Sequence, residues 1–207
     1  MNTYDFDQTI YEPDSSFSFF LYCMKKYPAA VLRTMPKTFA LAAAYALKKI
    51  GTKRLKEQLF SFLRYIPDVD AAVADFWDEH RSGIGQWYLD QKKEDDVIIS
   101  ASPYFLLRPI AKELGVGLIA TPMDKHTGKI LGENCHDTEK VRRFQEQYPG
   151  AHTERFYSDS LSDTPMAELA DRAFLVSKGK LSPWPGKNGQ EVGKNSLHIF
   201  QQYGTMY

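Results

Sequence analysis

Cysteine is nearly absent: Cys23 and Cys135 are the two in 207 residues. They lie far apart, so neither a disulfide framework nor a cysteine metal knuckle is available, and two buried or idle thiols in a reduced, cytoplasmic chain are expected. Net charge is absent as well, because 26 Lys and Arg balance 26 Asp and Glu. Nothing global argues for nucleic acid as a partner. Long apolar runs are also missing. The most apolar stretch, Thr38 to Leu47, lies between Lys37 and Lys48 and is too short to span a bilayer. The chain opens on a strand and its acids rather than a basic region followed by an apolar run, so no secretory signal is expected. His80, His126, His136, His152 and His198 show no metal spacing, and surface or core roles are expected for all of them.

What is present begins with Tyr4-Asp5-Phe6-Asp7-Gln8-Thr9-Ile10. Two carboxylates stand two residues apart where a short apolar strand runs out, and residues two apart on a strand face the same way. Open α/β sheets bind ligands at the carboxyl ends of their strands, which is where this pair would stand.

A helical block follows, from about Glu12 to Lys92. Ser15 or Ser16 is a candidate cap for a first helix with Phe17, Phe20, Leu21 and Met24 on one face. A second helix is expected from Pro28 to about Ile50, with a break at Pro36 and Gly51 just past its end. Thr52 is placed to cap a third, whose stripe of Leu55, Leu59, Phe62, Leu63 and Ile66 ends at Pro67. A fourth, starting near Asp68 or Asp70, carries Val73, Phe76, Trp77 and His80 inward.

From Val97 the texture changes. Val97-Ile98-Ile99 reads as a strand ending at Ser100-Ala101-Ser102-Pro103, followed by a helix from Tyr104 to Leu114 and a strand from Val116 to Thr121. Strand, helix and strand at this spacing predict a right-handed crossover and a parallel sheet. Met123 to Cys135 reads as a hairpin turning at Lys125-His126-Thr127-Gly128. Asp137 or Thr138 would cap a helix carrying Lys140, Val141 and Phe144. Strands at Thr153–Tyr157 and Ala173–Val176 flank the polar loop 158–163 and a short helix from Pro165 to Ala170, and the tail from Lys178 has little pattern. The string Gly115-Val116-Gly117 fits a dinucleotide-binding motif only in letters, since it closes a helix and opens a strand.

Asp5 with Asp7, Ser100, Lys140, and Asp159 with Asp163 therefore fall at strand ends or in the loops and helices that follow. In this the chain resembles the haloacid dehalogenase superfamily, in particular phosphatases similar to phosphoserine phosphatases. Asp5-Phe6-Asp7-Gln8-Thr9 matches that family's first motif, Val97-Ile98-Ile99-Ser100 its second, Lys140 its third, and Asp159-Ser160-Leu161-Ser162-Asp163 its fourth. Gln8 departs from the pattern, because many members carry Gly there, and a slightly altered turn after Asp7 is expected.

The resemblance implies an α/β fold: a Rossmann-like three-layer parallel sheet formed by residues 1–11 and 93–185, an inserted helical cap at 12–92, and a tail at 186–207. It also implies a phosphate monoester hydrolase in which Asp5 is the nucleophile and forms an aspartyl-phosphate, and Asp7 is the general acid and base. Ser100 would bind a phosphoryl oxygen, and Lys140 would offset the charge of nucleophile and phosphate. Mg²⁺ would be held by Asp5, the backbone carbonyl of Asp7, and Asp159, with Asp163 holding a metal-bound water. Family ATPases carry Thr where Asp7 stands, so an Asp there points to a phosphatase or phosphomutase.

A small soluble phosphorylated substrate is the expected partner. One asymmetry keeps a lipid phosphate, similar to phosphatidylglycerophosphate, and peripheral contact with an anionic membrane open: Leu21 to Ile66 holds ten basic residues and one acidic residue, Glu57. A non-catalytic binding protein of the same fold is the remaining alternative, although all the matched motif acids and Lys140 are present. Substrate identity and oligomeric state are not encoded in these patterns.

Overall fold

The computed structural model of the chain describes residues 1–186; the remaining tail, including His198, lies outside them. Strand β1 (Asn2–Tyr4) is buried on both faces and runs directly into Asp5. Helices α1 (Ser15–Lys26), α2 (Pro28–Ala46), α3 (Thr52–Leu59), α4 (Val69–His80) and α5 (Gln86–Leu89) follow before the chain returns as β2 (Val97–Pro103). Then come α6 (Tyr104–Leu114), β3 (Gly117–Thr121), α7 (Thr138–Gln147), β4 (Thr153–Ser158), α8 (Thr164–Leu169), β5 (Ala170–Ser177) and β6 (Lys180–Pro183).

Among the described residues these strands form one sheet in the order β3-β2-β1-β4-β5-β6. All pairings are parallel except β5 with β6, so the expected parallel sheet carries one antiparallel edge strand. That strand comes from the segment after Lys178, whose alternation is too short to read: Lys178 and Gly179, both at positive φ, make a tight turn and Trp184 buries beside Phe156. After β3 the chain crosses to the far side of β1 to form β4, which makes the carboxyl end of β1 a topological switch point.

Successive strand residues face opposite layers. Tyr4, Ile98, Tyr157 and Val176 pack with α1, α4 and α6, while Val97, Ile99, Phe156 and Leu175 pack with Phe144 of α7 and with Met166 and Ala167 of α8. On the first face the rings of Tyr4 and Tyr157 stack at 4.7 Å and those of Tyr157 and Phe174 at 5.1 Å, a ladder that ties three parallel strands in register.

The helical block differs from expectation mainly in its caps and faces. Asp14, not a serine, caps α1 by accepting the Phe17 N–H at 2.7 Å. The buried face of that helix is Phe19, Phe20, Tyr22 and Cys23, and Phe17 and Leu21 are exposed. Serines 15 and 16 are buried because the site claims their hydroxyls, and this turns the helix away from its most obvious apolar stripe. Helix α2 is not broken at Pro36, since both Pro36 and Leu32, whose carbonyl loses its donor, face solvent. It ends at Ala46, followed by Lys48 at φ 55°, and Gly51 precedes α3 rather than closing α2. Gly51, not Thr52, occupies the cap position, and α3 tightens into a 3₁₀ helix over Phe60–Tyr65. The fourth helix starts as read, capped by Asp68 through the Ala71 N–H at 3.0 Å.

Phe76 and Trp77 of α4 enter the same buried cluster as Tyr4 and Phe6 of the sheet segment, and the Trp77 indole N–H donates to the Leu106 carbonyl in α6 at 2.7 Å. The block and the sheet thus share a core. Trp77→Phe is expected to lower stability by about 1–2 kcal/mol and Trp77→Ala by about 3–5 kcal/mol. In urea, tryptophan fluorescence and far-ultraviolet circular dichroism should report one coincident transition; separated transitions would show that the block unfolds independently.

Candidate active site

Register brings the polar residues together. Tyr4 pairs with Ile98 on one side and Tyr157 on the other, so Asp5, Ser100 and Asp159 each lie one or two residues beyond the same level of three adjacent parallel strands. The Asp5 N–H donates to the Tyr157 carbonyl at 2.8 Å, and the Asp159 N–H donates to Thr9 Oγ1 at 2.9 Å, which ties the loop after β1 to the loop after β4. Gln8 takes φ 56°, the left-handed conformation in which Gly is free of strain. The departure from glycine therefore leaves the turn standing, with the strain on a residue that carries a side chain.

Lys140, in the first turn of α7, is 1% exposed. Its Nζ lies 2.9 Å from Asp5 Oδ1 and 2.7 Å from Asp163 Oδ2, and Ser158 Oγ donates to the same Asp163 oxygen at 2.7 Å. The carboxylates of buried Asp163 and partly buried Asp5 hold the ammonium charged, against the burial that disfavours it. Asp163 Oδ1 is buried without a hydrogen-bond partner. Burial pushes the Asp5 carboxyl up, with Lys140 opposing and the charges of Asp163 and Asp159 adding to the rise. Asp159 is likewise pushed up to about 6 by burial and by Asp163.

Asp7 is held on both oxygens. The Ser15 N–H donates to Oδ1 at 2.7 Å and Ser102 Oγ donates to Oδ2 at 2.5 Å. Ser102 therefore orients the Asp7 carboxylate, and Pro103 occupies the cap position of α6. Ser100 is fully buried, and its hydroxyl accepts the Ser102 N–H at 3.0 Å, so its recorded contact is with its own loop rather than with either acid.

Three groups escape a sequence reading. Lys56, from α3, places Nζ 2.7 Å from the Ala101 carbonyl and 3.3 Å from Asn134 Oδ1. Burial lowers its pKa, while Asp7, Asp14 and Asp5 pull it back up, which puts a second cation within reach of the acids. Its sequence neighbours Lys53 and Arg54 give no hint that one of the three basic residues turns inward. Asn134 is fixed by Thr121 Oγ1 at 3.0 Å. Asp14, the cap of α1, stands near enough to Asp7 to feel its charge.

The matching family model is that of haloacid dehalogenase-like hydrolases, and the match covers residues 3–168. The chain belongs to this family. Among relatives of the chain, Protein CicA of Caulobacter vibrioides is 36% identical over 92 residues, a match spanning 41% of this chain and 41% of that protein. A protein with unknown function from Bordetella pertussis Tohama I has the same fold, with a TM-score of 0.67 at 21% identity over 99% of this chain and 95% of that one. A HAD family hydrolase from Salmonella enterica serovar Typhi gives 0.56 at 14% identity over 81% of this chain and 58% of that one. Cytosolic 5'-nucleotidase IIIB bound to cytidine gives 0.52 at 11% identity over 86% and 72%.

Other features of the chain fall where expected or stay apart from the site. Cys23 and Cys135 are free and buried, their thiols pushed up to about 12 and about 11 by burial. Gly115 takes φ 71° and closes α6, and His80 bonds the Phe76 carbonyl of its own helix. Asp137 precedes α7 but makes no side-chain cap bond. Among the described residues no helix is long and apolar enough to cross a membrane.

Burial, then the charge of Asp7, pushes Asp14 up to about 6 from 3.8. A folded-state pKa above the unfolded value means that the folded chain holds the extra proton in that interval, so this group's contribution to stability falls as pH rises from about 4 to about 6. Asp14→Asn keeps a competent cap and removes the titration. Its stability relative to the parent should therefore rise between pH 5 and pH 7.5 in urea denaturation, by roughly 1–2 kcal/mol at the upper end; a pH-independent difference would assign Asp14 to capping alone.

Proposed function

We propose that the chain hydrolyses a phosphate monoester, with Asp5 attacking phosphorus to form an aspartyl-phosphate. The observation carrying this reading is the contact of Lys140 Nζ with Asp5 Oδ1 at 2.9 Å at the carboxyl end of the central strand. A buried ammonium there favours the ionised carboxylate against the burial that pushes it up, offsets its repulsion for the incoming phosphate, and fixes which oxygen is free to attack. Membership of the hydrolase family and a fold shared with a 5'-nucleotidase are consistent with it.

In this reading Asp7, oriented by the Ser15 N–H and Ser102 Oγ, gives a proton to the departing alkoxide and then takes one from the water that opens the acyl phosphate. Ser100 Oγ supplies a donor to a phosphoryl oxygen once it turns from the Ser102 N–H. Lys56 stands on the Asp7 side and meets the leaving group or its neighbouring polar atoms. The block formed by residues 12–92 acts as a cap over the strand ends, because it delivers both Lys56 and Ser15.

Among the described residues no three Asp, Glu, His or Cys side chains converge as a cage. A hard cation needs fewer, since Mg²⁺ keeps several of its waters. The donor set suits one: Asp5 and Asp159 are both pushed up by burial and by neighbouring carboxylates, with Lys140 opposing, and Asp163 Oδ1 is buried and unpaired. Asp5, Asp159 and the Asp7 carbonyl would hold Mg²⁺, with Asp163 reaching one of its waters. When bound it would supply charge neutralisation at the phosphoryl oxygens. The substrate in this reading is a small soluble phosphate ester.

Asp5→Asn is expected to abolish steady-state turnover of an aryl phosphate while keeping the folded circular dichroism spectrum; parent-like turnover would refute the nucleophile. Asp7→Asn should lower kcat by about 10²–10⁴ for alkyl phosphates and far less for nitrophenyl phosphate, whose leaving group needs no proton. Equal losses on both would remove Asp7 from the acid role. Lys56→Gln should raise KM roughly tenfold with a smaller effect on kcat; an unchanged KM across alkyl and aryl esters would leave Lys56 a structural residue.

A further inference from the structure

Helix α2 (Pro28–Ala46) carries an apolar face that nothing in the described chain covers. Leu32, Pro36, Phe39, Ala40, Ala43 and Leu47 are all exposed, with Leu32 at 60%, Phe39 at 65% and Leu47 at 66%. At 3.6 residues per turn they fall within an arc of about 100°, one continuous stripe along the helix. The opposite face, Ala30, Val31 and Thr34, is buried against the rest of the block. Exposed Arg33 and Lys37 lie beside the stripe, and exposed Lys48, Lys49 and Arg54 follow its end. Among the described residues no carboxylate forms an ion pair with Lys37, Lys48, Lys49 or Arg54, whereas Lys26 and Lys53 are paired with Asp75 and Glu133. The one acid between Leu21 and Ile66, Glu57, is turned inward to accept the Ile130 N–H at 3.0 Å.

We infer that this face seats the protein on an anionic bilayer surface, with the stripe of α2 entering the headgroup boundary and the flanking lysines and arginines meeting lipid phosphates. Charge complementarity selects that occupant. A second copy of the chain would bring the same basic rim against itself, and like charges at a rim oppose association. Three large side chains, Leu32, Phe39 and Leu47, spread along the whole length of the stripe among small residues offer little to fill a protein pocket. It suits a shallow interface instead, where an amphipathic helix with a cationic border binds by modest apolar burial plus electrostatic attraction. The residues concerned are not those of the catalytic reading, so docking and hydrolysis stand or fall separately.

Flotation of the full-length chain with two kinds of vesicle tests the inference: phosphatidylcholine alone, and phosphatidylcholine with phosphatidylglycerol in a roughly 2:1 ratio. Binding is expected to the second and not the first, and to weaken steeply as salt rises from about 0.05 to 0.5 M. Changing Lys37, Lys48, Lys49 and Arg54 together to Gln should lower the partition coefficient by roughly a hundredfold. The pair Phe39→Ser and Leu47→Ser should also weaken binding while leaving its salt slope. Both variants should keep the parental rate on a soluble aryl phosphate, or the parental urea midpoint if the chain has no such activity, which shows that the fold is intact. Absence of binding to phosphatidylglycerol vesicles at low salt would overturn the inference, as would equal binding to both vesicle types. So would a concentration-dependent dimer abolished by Phe39→Ser in a chain that ignores vesicles, since that would give the face to a second copy.

Discussion

The bridge from Asp5 through Lys140 to Asp163 is the interaction on which the arrangement depends. An ammonium at 1% exposure is tolerated only with its charge matched and its donors engaged, and both partners must arrive together. Asp5 comes from the end of β1, Lys140 from the start of α7, and Asp163 from the turn before α8. Three segments far apart in the chain are thus held to one point, and a slip in any of them would strand a charge in the interior. Ser158 reinforces the point by donating to the Asp163 oxygen that Lys140 also touches.

That point can exist because the sheet beneath it is rigidly registered. A parallel ladder buried on both faces has no freedom to slide, since a shift of one residue would send every side chain to the opposite layer. The stacked rings of Tyr4, Tyr157 and Phe174 fix β1, β4 and β5 at one level, and the acids stand just beyond it. The crossover from β3 to β4 on the far side of β1 leaves the space at the end of the central strand uncovered by its own connections. The helical block lies between β1 and β2 in the chain and sends Ser15 and Lys56 to that end.

The block works with two kinds of surface. Phe19, Phe76 and Trp77 join the core under the sheet, so α1 and α4 are anchored by apolar burial. α2 and α3 carry a thinner buried face and a long exposed one, and they hold the basic side chains. Lys56 is the exception among its neighbours: packing of α3 against the hairpin after β3 directs it toward Ala101 and Asn134 while Arg54 stays in solvent.

By itself the sequence determined the order of the elements, the split of the α/β part around a helical insertion, and the positions of Asp5, Asp7, Ser100, Lys140, Asp159 and Asp163 at or after strand ends. These are legible because β-branched runs, helix stops such as Gly115 and the spacing of acids are local signals, each set within a few residues by backbone preference. The antiparallel edge β6, the inward turn of Lys56, the engagement of Ser102 with Asp7 and the true buried face of α1 were decided only in the tertiary structure. Each depends on what the partner segment presents. Ser15 and Ser16 outcompete Phe17 for the interior because Asp7 and Ser102 wait there to bond them, and a hydrogen bond between residues nearly ninety positions apart leaves no periodic trace in either stretch of chain.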